Sequence, residues 1–165
     1  MSWGTRTIRG TPYPLAHLNT FVLPVAGNTK GYRVQVAFGA HCFTRDVIQA
    51  DTPDLIFMDG GKQRTFCVNR YAHSLHLPAA ICQAASGEVC LSGNNFVIGT
   101  TLPGLVGPYL IAFTLRRAGG KKVDLKMDVR SAHHRPNYAA NLPTAKFGVV
   151  VACAVNQTPI RWTKK

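Results

Sequence analysis

The stretch 130–135 contains two arginines and two adjacent histidines, and Tyr138 follows it closely. One histidine can take the 2′-hydroxyl proton of RNA and another can protonate the leaving oxygen, because imidazole titrates near neutral pH. Arginine can stabilise the charge of the transition state, and tyrosine can stack on a base. We therefore predict His133 or His134 as acid–base residues, with Arg130 and Arg135 binding phosphate. The alternative is a solvated basic turn that binds phosphate and does no chemistry.

The strand that leads into this stretch adds a further cation. Apolar residues alternate from Val123 to Val129, so the side chains of Lys126 and Arg130 are expected to share the outward face. Lys126 is therefore a candidate for phosphate binding. Adjacent side chains of a strand point to opposite faces, so only one of the two neighbouring histidines is expected to be central.

A second group of candidates lies just before a predicted helix. Arg64, Arg70, Tyr71 and His73 fall within ten residues of one another. Helix N-termini attract phosphate, so Arg64 and Arg70 are expected to bind the nucleic-acid backbone, with Tyr71 on the wall of the site. His73 is a candidate second proton carrier. The alternative is that the polar residues at 74 and 76 only cap the helix and form the turn.

His41 ends another predicted strand and is the remaining candidate for the second proton carrier. A histidine and a cysteine at a strand end also allow a different interpretation, a zinc site. No closely spaced cysteine pair supports it. The ligands would come from the following set: His41, Cys42, Cys67, His73 and His76.

Several catalytic motifs are absent from the chain. There is no phosphate-binding Walker loop, no dinucleotide fingerprint, no HExxH and no GxSxG. Glu88 is the only glutamate, which disfavours a carboxylate-rich two-metal nuclease site. We therefore predict neither a cofactor nor a metal in the reaction.

The charge balance indicates a polyanionic partner. The 165 residues include 19 Lys and Arg but only seven Asp and Glu, which gives a formal net charge of +12. A surface of this charge repels itself and binds phosphate backbones by counterion release. Nucleic acid, with RNA favoured, is the expected partner, and a protein with an acidic surface is the alternative. Four of the acids fall in the stretch 46–59, so a separate acidic loop is expected.

Hydrophobic periodicity predicts an α+β fold that is mainly β, as a curved antiparallel sheet or small barrel with one helix packed on it. A single domain, 1–165, is expected, with an irregular segment at 1–31 and a sheet core at 32–165. Strands are predicted at 20–25, 32–41, 64–69 and 95–101, a hairpin at 109–115 and 123–129, and a central strand at 147–155. The helix is predicted at 77–85, and 45–62 is predicted to be a loop.

The cysteine pattern bears on the compartment. Five cysteines form an odd set without a CxxC pair, which is typical of reduced thiols in the cytoplasm. No apolar run approaches the roughly 18 residues that a membrane span requires, and the N-terminus does not resemble a secretory signal. A soluble cytoplasmic protein is therefore expected.

These observations together predict a small metal-independent ribonuclease or ribonuclease-like toxin. The outline of a small basic sheet protein is similar to compact bacterial ribonucleases and toxin ribonucleases, although no motif allows residues to be carried over. The alternative is a non-catalytic nucleic-acid binder, such as a regulator or inhibitor from a mobile element. If the chain is catalytic, at least two of the three segments that carry His41, Arg70 and Arg130 should meet across one basic cleft.

Overall fold

A computed structural model of the chain describes residues 2–27, 30–136 and 141–163. Twelve strands and three α-helices lie in these residues. The strands are β1 (Thr5–Ile8), β2 (Thr11–Pro14), β3 (Phe21–Ala26), β4 (Gly31–Phe38), β5 (Thr44–Asp46), β6 (Ile56–Asp59), β7 (Lys62–Phe66), β8 (Glu88–Ser92), β9 (Asn95–Thr100), β10 (Tyr109–Arg117), β11 (Leu125–His134) and β12 (Thr144–Lys146). The helices are α1 (Val68–Ser74), α2 (Leu77–Ala84) and α3 (Phe147–Asn156).

The main sheet has seven strands in the order β12-β8-β9-β10-β11-β4-β3. All neighbouring strands in it are antiparallel except β11 and β4, which run parallel. The fold is therefore mainly β, as expected, but the sheet is mixed. It has two edge strands, so the described residues form no closed barrel.

The predicted hairpin is confirmed and forms the centre of this sheet. β10 and β11 pair antiparallel, with Leu115 opposite Met127 and Phe113 opposite Val129. The alternating apolar residues of β11 are buried because every second side chain of a strand points to the same face. β4 follows the same pattern, with Val34 and Val36 fully buried.

The two faces of the sheet differ. Helix α3 packs on the apolar face, where the rings of Phe113 and Phe147 lie 6.0 Å apart. We call the opposite side the outer face. It carries partly exposed and mostly polar residues: Gln35, Ala37, Thr114, Lys126 and Asp128.

The prediction of a central strand at 147–155 is wrong, because this segment is helix α3. The run is apolar on every side, so its composition alone suits a buried strand or a buried helix. Burial follows the helical period, with Phe147, Val150 and Val151 in the core. The described residues therefore contain three α-helices rather than the one predicted. None of the helices in the described ranges is long and apolar enough to cross a membrane.

The segment 1–31, expected to be irregular, contains the hairpin of β1 and β2 and the edge strand β3. The acidic stretch 45–62, expected to be a loop, contributes β6 and part of β5 to a small sheet with the order β5-β7-β6. The strand predicted at 20–25 is confirmed as β3, whereas β1, β2, β5 and β6 were not predicted, because strands of three or four residues are too short to establish a period. The strand predicted at 64–69 ends at Phe66, and Val68 begins α1.

Candidate active site

Two distant segments of the chain line one open cleft of about 430 Å³. We call it the histidine cleft. One wall comes from α1 and the other from the end of β11. Its lining residues are Asn69, Arg70, His73, His133, His134 and Arg135. The tertiary structure thus brings together two of the three segments that the sequence singled out.

Hydrogen bonds from Arg70 hold the α1 wall against residues 41–44, at the start of β5. Arg70 and His73 are three residues apart and therefore lie on one side of the helix. Arg70 Nη1 donates hydrogen bonds to the carbonyl oxygens of Thr44, at 2.7 Å, and His41, at 3.2 Å. Both acceptors are neutral, and Arg70 has no ion pair within the described ranges. Its positive charge is therefore not neutralised at the cleft.

His73 lies half-buried against the ring of Tyr109. The two ring centroids are 5.8 Å apart and the rings meet edge to face. Burial lowers the pKa of His73, and the neighbouring charges of His134 and His76 lower it further.

His133 and His134 end strand β11, opposite Leu110 and Tyr109 respectively. Both line the cleft, although adjacent strand residues point to opposite faces. Burial lowers the pKa of His133, as do the charges of Arg135 and Arg70. His134 Nε2 lies 2.7 Å from the carbonyl oxygen of Val106. A carbonyl oxygen only accepts, so Nε2 donates and Nδ1 is the nitrogen left to exchange a proton.

A bulge in β11 separates these histidines from the rest of the strand. Val129 pairs with Phe113 and Ser131 with Ala112, which leaves Arg130 as the extra residue. Simple alternation, which placed Arg130 with Lys126, therefore does not continue through this point. Beyond the bulge, Ser131 and His133 occupy the outer face. Bulges commonly redirect side chains beside functional sites.

Arg130 lines a second cleft, the outer cleft, of about 620 Å³. His41 lines this cleft rather than the histidine cleft, and its Nε2 lies 3.9 Å from Asp59 Oδ2. Burial is the largest cause that lowers the pKa of His41. The other polar side chains that line it are Asn94, Asn95, Thr114, Asp128 and Ser131.

Lys126 lines a third cleft, the lysine cleft, of about 630 Å³. Gln35 and the turn between β10 and β11 complete it, and the turn adds Lys121 and Lys122. Neither of these two lysines was predicted from the sequence as a phosphate ligand. Two consecutive lysines beside Gly119 and Gly120 were the available signal.

Arg64 and Tyr71 lie outside the three clefts. Arg64 is buried, with Nε donating to Thr44 Oγ1 and Nη1 to Asp46 Oδ1, both at 2.8 Å. The Tyr71 ring packs edge to face on Tyr13, with centroids 5.1 Å apart. Tyr138 lies outside the described residues.

The zinc alternative finds no ligand set in the structure. Within the described ranges, no group of three or more His, Cys, Asp or Glu side chains is arranged to hold a metal ion. Burial raises the pKa of the Cys42 thiol to about 12, which keeps it protonated at neutral pH. Tyr109 is also buried beside the histidine cleft, and its hydroxyl has no hydrogen-bond partner among the described residues.

Comparison with known proteins gives one match. A family model described as the YjaZ family matches residues 5–155, which is most of the chain. No curated protein and no solved structure matches it. The match covers both walls of the histidine cleft.

Proposed function

The chain belongs to the YjaZ family, and we propose that this member is a small metal-independent ribonuclease whose active site is the histidine cleft. One observation carries the proposal. Three histidines and two arginines, from segments about sixty residues apart, line the same cleft. Two proton carriers and a cationic phosphate site are the parts that cleavage through the 2′-hydroxyl needs.

In this mechanism one neutral imidazole takes the proton from the 2′-hydroxyl of RNA. The 2′-oxygen attacks the adjacent phosphorus while the bond to the 5′-oxygen breaks. A second, protonated imidazole gives its proton to that 5′-oxygen. The products are a 2′,3′-cyclic phosphate and a 5′-hydroxyl end. Arg70 and Arg135 neutralise the charge that grows on the phosphoryl oxygens.

The electrostatics of the cleft favour one division of roles. Burial and the charges of Arg135 and Arg70 keep His133 neutral, which suits the general base. His73 and His134 are the two other imidazoles that line the cleft. We assign the general acid to this pair.

The direct test is to incubate the purified chain with single-stranded RNA in EDTA and to analyse the ends of the products. Cleavage with 2′,3′-cyclic phosphate ends is expected. His133→Ala should lower kcat/KM about a hundredfold or more, since a positioned acid or base contributes about 10²–10⁴. His73→Ala should cause a loss of similar size.

His76→Ala is the matched control. His76 is an exposed histidine three residues beyond His73, lines none of the three clefts and makes no side-chain hydrogen bond at the start of α2. Its replacement should leave the maximal rate unchanged and only move the limb of the pH profile set by His73 to higher pH, since the charge of His76 lowers the pKa of His73. RNA that stays intact, or cleavage that persists in His133→Ala/His134→Ala, contradicts the assignment.

A non-catalytic nucleic-acid binder is the second candidate. The same pKa shifts favour it, because lowered values leave fewer protonated imidazoles to act as acids near neutral pH. Salt-titrated binding combined with the cleavage assay separates the two functions. A binder would lose affinity steeply with rising salt and give no turnover.

A further inference from the structure

Strand β11 passes all three clefts in order. Lys126, near its start, lines the lysine cleft, while Asp128, Arg130 and Ser131 line the outer cleft. His133 and His134, at its end, line the histidine cleft. The three clefts therefore follow one another along a single strand.

The strand register places this path on the outer face. Lys126 lies between Gln35 and Arg116, and Asp128 lies between Ala37 and Thr114. The bulge at Arg130 moves the alternation by one residue, so that Ser131 and His133 continue along the same face. Without this extra residue, His133 would point to the apolar face.

The charges along the path are not uniform. Lys121, Lys122 and Lys126 form one cationic end, and Arg70 and Arg135 form the other. Within the described ranges, none of these five side chains has an ion pair with a carboxylate. Both ends are thus suited to bind phosphate.

The outer cleft, between the cationic ends, has different chemistry. Two of the seven acids of the chain, Asp59 and Asp128, line it beside one arginine, Arg130. Carboxylates repel phosphate, whereas carboxylate, amide and hydroxyl groups can hydrogen-bond the edge of an unpaired base. Asp128 Oδ2 accepts a hydrogen bond from Arg116 at 2.8 Å, which fixes the carboxylate at this cleft. The middle of the path is therefore suited to a base rather than to a phosphate.

We propose that the outer face of β11 is an extended track for single-stranded RNA. The backbone contacts the lysine cleft at one end and the histidine cleft at the other, and an unpaired base occupies the outer cleft between them. This inference deepens the proposed ribonuclease function and rests on it for the position of the cleaved bond. It names the substrate as a single strand several nucleotides long.

The length of the track sets the size of the substrate. From Lys126 to Arg135 the strand spans about 30 Å, at about 3.3 Å for each residue. A stacked nucleic-acid strand advances about 3.4 Å for each nucleotide. A trinucleotide therefore cannot reach both cationic ends, whereas a 12-mer can. A duplex hides the base edges that the outer cleft would contact.

The test uses 2′-O-methyl RNA, which lacks the attacking hydroxyl, so that binding is measured whether or not the chain cleaves RNA. Fluorescence anisotropy compares labelled 3-mer and 12-mer single strands and a 12-base-pair duplex. The variant is Lys121→Ala/Lys122→Ala. The control, Lys146→Ala/Arg161→Ala, removes two exposed cations near edge strand β12, about 19 Å from β11 at the usual strand spacing.

The wild type is expected to bind the 12-mer more tightly than the 3-mer and the duplex. Loss of two phosphate contacts should weaken 12-mer binding about tenfold at 0.15 M salt and lower the salt slope by about 1.4, with the 3-mer unaffected. The control should bind like the wild type. Equal affinity of the wild type for the 3-mer and the 12-mer would contradict the proposed track. Equal losses of 12-mer affinity in the two double variants would contradict it as well.

A third variant, Asn95→Ala, tests the middle of the track. Asn95 lines the outer cleft and is half-buried. Its replacement should change the order of affinities for uridine, cytidine and adenosine 12-mers. An unchanged order overturns the placement of a base in this cleft. These outcomes differ from failure of the ribonuclease proposal, which would leave length-dependent binding without cleavage of ordinary RNA.

Discussion

The imidazoles of His73 and His133 are both easier to deprotonate than an ordinary histidine, for partly different reasons. Burial is the largest cause in each case. The further cause is other imidazoles for His73 and guanidinium groups for His133. For activity the base must be neutral and the acid must be protonated. Because the pKa values of both groups are lowered, both limbs of the pH–activity profile move to lower pH.

We therefore expect a bell-shaped dependence of kcat/KM on pH with its maximum below 6.5, the ordinary pKa of histidine. Arg135→Ala should shift the acid limb to higher pH, because it removes a charge that lowers the pKa of His133. Steady-state cleavage of a short RNA between pH 4.5 and 8 measures both limbs. A maximum above pH 7 contradicts the assignment of His133 as the base and His73 as an acid.

The arginines illustrate how one residue type serves two purposes. Arg64 is buried and paired with Asp46, so its donors are occupied within the small sheet. Arg70 donates only to neutral carbonyl groups and keeps its charge at the cleft. Sequence reasoning predicted both as phosphate ligands because neither burial nor partners can be read from residue type.

Two elements place the active-site residues. The bulge in β11 puts His133 on the outer face, and the position of α1 puts Arg70 and His73 opposite it. On the other side of the sheet, helix α3 closes the core and approaches edge strand β3 closely. A side chain added at Gly148 would collide with the carbonyl oxygen of Ala26.

Gly148→Ala should therefore destabilise the chain by about 1–2 kcal/mol, although alanine forms helices better than glycine. Urea unfolding measures the free energy of unfolding. Gly119→Ala is the matched control, since no atom of the described chain lies within 4 Å of the added carbon. A Gly148→Ala variant that is more stable than the wild type would mean that α3 does not pack this closely on β3.

The whole molecule carries its charge unevenly. The acids of the stretch 46–59 pair with local cations, as in Arg45–Asp51 and Arg64–Asp46. The pKa of Asp51 lies well below its ordinary value, chiefly because Arg45 donates hydrogen bonds to it. The Lys and Arg side chains of the three clefts have no carboxylate partner within the described ranges, so each contributes positive charge along the proposed track.

Four histidines, at 17, 41, 73 and 133, have pKa values below the ordinary 6.5 in the folded chain. The unfolded chain therefore binds more protons as the pH falls through this value, and protonation favours unfolding. Stability should be constant above about pH 7 and should fall below about pH 6.5. The pKa of Asp51 is lowered, so its carboxylate stays ionised in this pH range. Its hydrogen bonds with Arg45 therefore continue to stabilise the folded chain until far lower pH.

Urea midpoints measured from pH 8 to 5 test this dependence. His133→Ala should make the fall less steep, whereas Lys146→Ala, which removes an exposed cation that affects none of the four histidines, should leave it unchanged. A midpoint that stays constant or rises between pH 7 and 5.5 contradicts the lowered pKa values. Repeating the series in 0.5 M salt separates burial, which salt affects little, from repulsion among surface charges, which salt screens.

Local sequence pattern is sufficient to predict the elements whose periodicity is long and clear. β4, β9, β10 and helix α2 were predicted close to their observed bounds, whereas β11, predicted to end at Val129, continues to His134. Alternation or helix propensity over six or more residues leaves little choice of local structure. The net charge, and with it the expectation of a polyanionic partner, also follows from composition alone.

The remaining features depend on long-range packing. The apolar run of α3 suits a strand or a helix equally, and packing against Phe113 selects the helix. The bulge at Arg130 appears only when β10 is paired with β11. Residue types at 70, 73, 133 and 135 suggested chemistry, but their meeting in one cleft depends on how α1 docks against β11. Contacts between residues sixty positions apart are set by the packing of the core, which no local pattern encodes.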